Sequence, residues 1–119
     1  MINSPLSDLS DFEEYTKICD VNVLKEKQGK RFLINNVEVA LFKVEDNIYA
    51  LSNICPHQQS ATIYEGFIEE GCVVCPVHGW KFDLKTGNIA SKSRGLNSFS
   101  VKIINGSVFV KVKGKKFNW

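Results

Sequence analysis

The chain has 119 residues, which suits one domain built round one compact core. A hydrophobic content of 44% with 24% charged residues is that of an ordinary folded, water-soluble protein and excludes a disordered chain. The net charge of +2 is too small to point to nucleic acid, and no window approaches the run of about 20 apolar residues that spans a bilayer.

Residues 1–13 read as a flexible leader, with Pro5, several Ser and Asp residues and no periodicity. The segment lacks the basic start and apolar centre of a signal peptide, and it carries Asp8, Asp11 and Glu13, with Glu14 directly after it. A cytoplasmic location is therefore expected. In a reducing compartment four cysteines speak for metal or redox chemistry before disulfides.

From Tyr15 onward the pattern is one of short strands, and the expected class is all-β. "VEVALFKV" (37–44) alternates only in part, because Phe42 interrupts the polar side. "IYAL" (48–51), "CVVC" (72–75), "FSVKII" (99–104) and "SVFVKV" (107–112) are rich in β-branched and aromatic residues. Turn signals separate them at "NN" (35), "EDN" (45), "EEG" (69), "KTGN" (85) and "NGS" (105). Asn105-Gly106 supplies the two positive φ values of a type I′ hairpin turn. Only "VNVLKE" (21–26) suggests a helical turn. The basic run "KVKGKK" (111–116) reads as a solvated C-terminal strand and tail, with a docking patch for an acidic redox partner as the sharper alternative.

Two segments carry the chemistry: Cys55-Pro56-His57, then seventeen residues, then Cys75-Pro76-Val77-His78. Two thiolates and two imidazoles make one four-ligand metal site, and the chain has no other histidine. Cys₂His₂ is a common structural zinc set. Zinc fingers, however, usually draw both cysteines from one unit and both histidines from another. A [2Fe–2S] cluster bound by two Cys on one iron and two His on the other uses the same residues, with each loop reaching both irons. Cys19 and Cys72 remain as small buried hydrophobes; Cys72 and Cys75 point to opposite faces of a strand, which disfavours a shared site.

At these residues the chain resembles the Rieske iron–sulfur family, whose signature is Cys-x-His, a spacer and Cys-x-x-His. The flanks "YTKICDVNVL…GKRFLINNVEVALFKVEDNIYALSNICPH" (15–57) and "CPVHGWKFDLKTGNI" (75–89) are similar to those of soluble Rieske ferredoxins, and about a hundred residues are covered. The resemblance implies one Rieske-type [2Fe–2S] cluster, with Cys55 and Cys75 on the inner iron and His57 and His78 on the outer one. It implies the Rieske fold, an antiparallel β-sheet base with a small cluster-binding subdomain at about 53–96, inside a single domain spanning 14–119.

Respiratory members carry an extra disulfide whose cysteines fall where Ser60 and Val77 stand, and hydroxyls where Trp80 and Phe82 stand. Their absence here implies a soluble, low-potential member. An oxygenase's mononuclear iron needs two more histidines and a carboxylate, so the chain is not expected to be catalytic alone. The expected function is single-electron transfer between a flavin-dependent reductase and a terminal oxygenase, by a chain that is monomeric in isolation. The alternatives are the small Rieske subunit of a nitrite reductase-like complex and a structural zinc-binding module. Two departures stand out. Many members have glycine at the position of Gln59. Many also have a proline-containing third loop, where "SKSRGLNSF" (91–99) has none and Gly95 is expected to supply the bend.

Overall fold

The structure, a computed structural model, describes residues 15–56, 59–76, 79–89 and 95–112. The chain runs β1 (Tyr15–Asp20), a 3-10 turn (Val21–Val23), β2 (Gly29–Ile34), β3 (Val37–Val44), β4 (Asn47–Ser52), β5 (Ile54–Cys55) and β6 (Ser60–Ala61). A second 3-10 turn (Ile63–Glu65) leads to β7 (Phe67–Glu69), β8 (Cys72–Val74), β9 (Lys81–Asp83), β10 (Ser98–Phe99), β11 (Val101–Ile104) and β12 (Ser107–Lys111). Among the described residues no helix is long and apolar enough to cross a membrane.

The strands form four antiparallel sheets: β1-β12-β11, β10-β4-β3-β2, β5-β6 and β7-β8-β9. The all-β expectation holds, and "VEVALFKV" is strand β3 end to end. Its broken alternation has a physical cause. Successive side chains of a strand point to opposite faces, and here both faces are covered. Val39 and Leu41 enter one core with Ile34, Ala50, Val108 and Val110. Ala40 and Phe42 enter a second core with Leu51, Ile63, Val73 and Phe82. The four-stranded sheet is thus a middle layer, and a middle layer has no polar side to show.

"FSVKII" is two strands rather than one. Phe99 pairs with Ala50 in the middle sheet, whereas Val101 pairs with Val110 in the outer one, so the chain changes sheets at Ser100. The suggested helical turn at 21–26 is the short 3-10 turn Val21–Val23.

Three hairpins close with two residues at positive φ: Asn35 and Asn36 (52° and 66°), Glu70 and Gly71 (52° and 79°), Asn105 and Gly106 (51° and 78°). This is the geometry that the right-handed twist of paired strands favours. Between β3 and β4, Glu45 takes φ 60° and donates its N–H to the Glu26 carboxylate at 2.8 and 3.0 Å.

Two close contacts tie the 3-10 turn Ile63–Glu65 to the middle sheet. One is Gly29 of β2, where an added Cβ would lie 2.3 Å from the Tyr64 carbonyl oxygen and 2.5 Å from Phe42 Cε1. The other is Asn53, considered below. Gly29→Ala should cost about 1–3 kcal/mol by overpacking, since the nearer obstacle is backbone. Urea unfolding checks this: the midpoint of Gly29→Ala should fall well below that of Gly71→Ala, where an added Cβ meets nothing within 4 Å and only the φ of +79° is strained.

Candidate metal centre

Cys55 ends β5 and pairs with Ser60 of β6. Cys75 follows β8, and its N–H donates to the Trp80 carbonyl at 2.8 Å just before β9. The two loops therefore have the same span, from a cysteine to the residue five positions on. They also close in the same way. Gln59 N–H donates to the Cys55 carbonyl at 2.6 Å, and Gly79 N–H donates to the Cys75 carbonyl at 2.9 Å. Gln59 and Gly79 are both left-handed, at φ 57° and 73°.

Each loop thus starts Cys-Pro and ends in a left-handed residue four positions after the cysteine. Pro56 and Pro76 are exposed, and each fixes φ beside its cysteine. Glycine at 79 serves the positive φ rather than a close approach of protein atoms, because an added Cβ would meet none within 4 Å. The departure from the family's usual glycine at Gln59 falls on the matching left-handed position, where a side chain carries backbone strain.

The two loops bring Cys55 Sγ and Cys75 Sγ to 3.5 Å, each residue 1% exposed. That is far beyond the roughly 2.05 Å of a disulfide. It is close to the spacing of about 3.8 Å expected of two thiolates on one tetrahedral metal ion at 2.3 Å. The donor chemistry fits a metal centre: two thiols side by side, backed by Ile63, Val73, Phe82, Leu84 and Leu96. His57 and His78, with Gln58 and Val77, lie outside the described residues, as do the leader, "SKSR" (91–94) and Lys113–Lys116.

Phe82 is fully buried in this core, whereas Trp80 is partly exposed and packs on it, the ring centroids 6.4 Å apart. Cys72 takes no part. It is partly exposed beside Glu69 and Asp83 on the neighbouring strands, while Val73 and Cys75 face the core. Burial, then the nearby Asp83, raises the pKa of its thiol above the ordinary 9.0; Glu70 and Glu69 add to this and Lys81 opposes it. Cys19 is likewise partly exposed and raised, by burial and then by Asp20. Of the two expected buried hydrophobes, Cys19 packs partly buried on the outer core, whereas Cys72 is partly exposed and in neither core.

Gly95 does not use the left-handed region. Glycine is required there by close approach, since an added Cβ would lie 2.1 Å from the Gly87 carbonyl oxygen. Gly87 needs both freedoms, with φ 81° and the Leu96 carbonyl oxygen 2.1 Å from an added Cβ. The Leu96 N–H donates to the Gly87 carbonyl at 2.7 Å, so Gly95 and Leu96 lie backbone against backbone on Gly87 and Asn88.

The chain has relatives of known family and fold. Residues 14–111 match the model of the Rieske-like [2Fe-2S] domain. The ferredoxin component of the alkene monooxygenase system of Xanthobacter autotrophicus (strain ATCC BAA-1158 / Py2) is 32% identical over 111 residues, covering 92% of this chain and 89% of that protein. A chain from the complex of reduced oxygenase and oxidized ferredoxin in carbazole 1,9a-dioxygenase superposes with TM-score 0.70 at 28% identity, covering 79% of this chain and 98% of that one. The nitrite reductase [NAD(P)H] small subunit from Erwinia carotovora superposes with TM-score 0.74 at 21% identity, covering 87% and 85%. The chain belongs to the Rieske-like [2Fe-2S] domain family. Its cofactor is a Rieske-type [2Fe–2S] cluster.

Two measurements test this geometry. Gln59→Gly should relieve left-handed strain of roughly 1–2 kcal/mol while adding about 0.5–1 kcal/mol of unfolded-state entropy, for a net gain of about 1 kcal/mol or less. Gln59→Val should instead lower the thermal midpoint. The second concerns acid. The Arg31 guanidinium, and then the Asn53 amide, hold the Glu38 carboxyl below its ordinary 4.5, although partial burial opposes them. A depressed folded-state value means that this contribution is present above about pH 4.5 and is lost as pH falls through the folded value. Glu38→Gln should therefore lower stability at pH 7 and flatten its fall with acid, measured by urea unfolding from pH 7 to 3.

Proposed function

We propose that the protein is a one-electron carrier at low potential, taking electrons from a flavin-dependent reductase and passing them to a terminal oxygenase. The observation that carries this reading is the buried Cys55–Cys75 pair, 3.5 Å between sulfurs, in a chain alike over nearly its whole length to an oxygenase ferredoxin component. The likeness to a nitrite reductase small subunit, at 21% identity, is one of fold alone.

In this reading Cys55 and Cys75 hold one iron and His57 and His78 the other, and the cluster supplies a site that accepts and returns one electron. The protein's part is to hold and to shield. Val73, Phe82, Leu84 and Leu96 keep water from the thiolate side. Pro56 and Pro76 stiffen the loops. Neither Trp80 nor Phe82 has a hydroxyl to donate to the cluster, which favours a potential near the lower end of the range of about −150 to +300 mV. The working unit is residues 14–119, with a cluster-binding part at 53–96 and a leader at 1–13, monomeric in isolation and cytoplasmic. It performs no substrate chemistry itself.

The decisive measurement is EPR of the anaerobically purified protein after dithionite reduction. A rhombic signal of low average g is expected. It should vanish in Cys55→Ser, Cys75→Ser, His57→Ala and His78→Ala and survive in Cys19→Ser and Cys72→Ser. A colourless, EPR-silent protein holding stoichiometric zinc would sink the proposal and make the same residues a structural clamp.

A further inference from the structure

Asn53 is the one polar residue among the described residues that is both fully buried and outside any strand. It stands where the chain leaves β4 for the first loop, two residues before Cys55. Every polar atom of the residue is used. Its backbone N–H donates to the Glu38 carbonyl at 3.0 Å, and its carbonyl accepts from the Ile63 N–H at 3.3 Å. Its side-chain Nδ2 donates to Glu38 Oε1 at 2.9 Å, and its Oδ1 accepts the Tyr64 N–H at 2.8 Å. Glu38 is fixed in turn by Arg31 of β2, whose Nε and Nη2 donate to its two carboxylate oxygens.

The relay runs from the middle sheet, through Arg31 and Glu38, to a single amide that also holds the 3-10 turn behind the first loop. That turn contributes Ile63 to the apolar wall behind the two sulfurs. The Asn53 side chain thus ties the entry to Cys55 to the turn that supplies Ile63, beside the two main-chain bonds of the same residue. A bidentate Arg–carboxylate pair is directional, so it fixes the Glu38 oxygen against which Asn53 is aligned. A buried amide with no competing water has no other partner to turn to.

We infer that Asn53, held by the Glu38–Arg31 pair, is a positioning residue that sets the place of the Cys55 thiolate relative to Cys75. This rests on the proposal that Cys55 binds the cluster. A residue that merely stabilised the fold would act on the denaturation midpoint alone. A positioning residue acts also on the cluster held by folded protein.

The test compares cluster-loaded variants well below their melting temperatures. Asn53→Leu removes the relay; Val108→Ala loosens the opposite core, on the far side of the middle sheet. Partners of metal ligands typically change affinity by about 10–100-fold, so Asn53→Leu should lose its cluster to a chelator about tenfold faster or more. Its EPR g values and midpoint potential should also shift, while Val108→Ala should match the parent in rate, spectrum and potential.

Should Asn53→Leu not fold, Asn53→Asp serves. It keeps the acceptor for Tyr64 but sets a carboxylate against Glu38. Adding Glu38→Gln returns a donor to that contact and should bring the loss rate and spectrum back towards the parent. Loss rates that follow melting temperature alone, with unchanged spectra and no rescue, would overturn the inference. Cys55→Ser separates the two readings: a variant that kept its cluster would overturn the ligand proposal itself.

Discussion

The arrangement depends on one contact, the approach of two cysteine sulfurs on separate hairpins within an apolar pocket. Nothing local brings them together, because each loop closes on itself through its own cysteine carbonyl. What brings them together is the second core. Cys55 and Cys75 belong to the same buried cluster as Phe82, Val73 and Ile63, so packing, with the proposed Asn53 relay at the entry to Cys55, sets the distance between the two loops. Two thiolate charges held in such surroundings need a cationic partner, since burial without pairing is costly. With Cys55 and Cys75 as the proposed ligands, metal loading and the final packing of the loops would be coupled, and ligation would become part of the folding free energy.

The two loops are built alike although their sequences conceal it. "CPHQQS" and "CPVHGW" share only Cys-Pro, yet both have a cysteine-to-partner span of five residues and a left-handed residue at the fourth position after the cysteine. The histidines fall at unequal offsets, two residues after Cys55 and three after Cys75, within otherwise equivalent frames. Gly79 meets the backbone requirement without strain and Gln59 meets it with strain. The departure from the family pattern is therefore a substitution at a defined backbone position, and its consequence is local stability.

Strand β3 and the Asn105-Gly106 hairpin were legible because local chemistry determines them: a run of β-branched and aromatic residues in one case, a turn that needs two positive φ values in the other. The four candidate ligands were legible from residue type and spacing, and two of them, Cys55 and Cys75, are brought together. Less was legible where tertiary contact decides. That β3 lies between two cores follows only from what covers its faces, and "FSVKII" offers no sign that the chain changes sheets at Ser100. Gly95 was expected to bend a loop because glycine does so often, whereas it is needed for the backbone of Gly87 beside it. Asn53 gave no signal at all. An asparagine before a cysteine reads as a turn residue, and its partners lie 15 and 11 positions away in sequence.

The middle sheet has different tasks on its two faces. Towards Val108 and Val110 it carries an apolar interface whose work is stability. Towards Phe82 and the two cysteines it is the platform on which the two cysteine loops are mounted, through Gly29, Phe42 and the Asn53–Glu38 contact. One core can therefore vary in volume and cost only folding free energy, whereas small shifts in the other move the sulfurs. A rigid donor set is what rapid electron transfer asks of a protein, since a site that must rearrange on reduction adds its reorganisation to the barrier. Among the described residues, two short loops are backed by a sheet packed on both faces, which supplies that rigidity without a long helix.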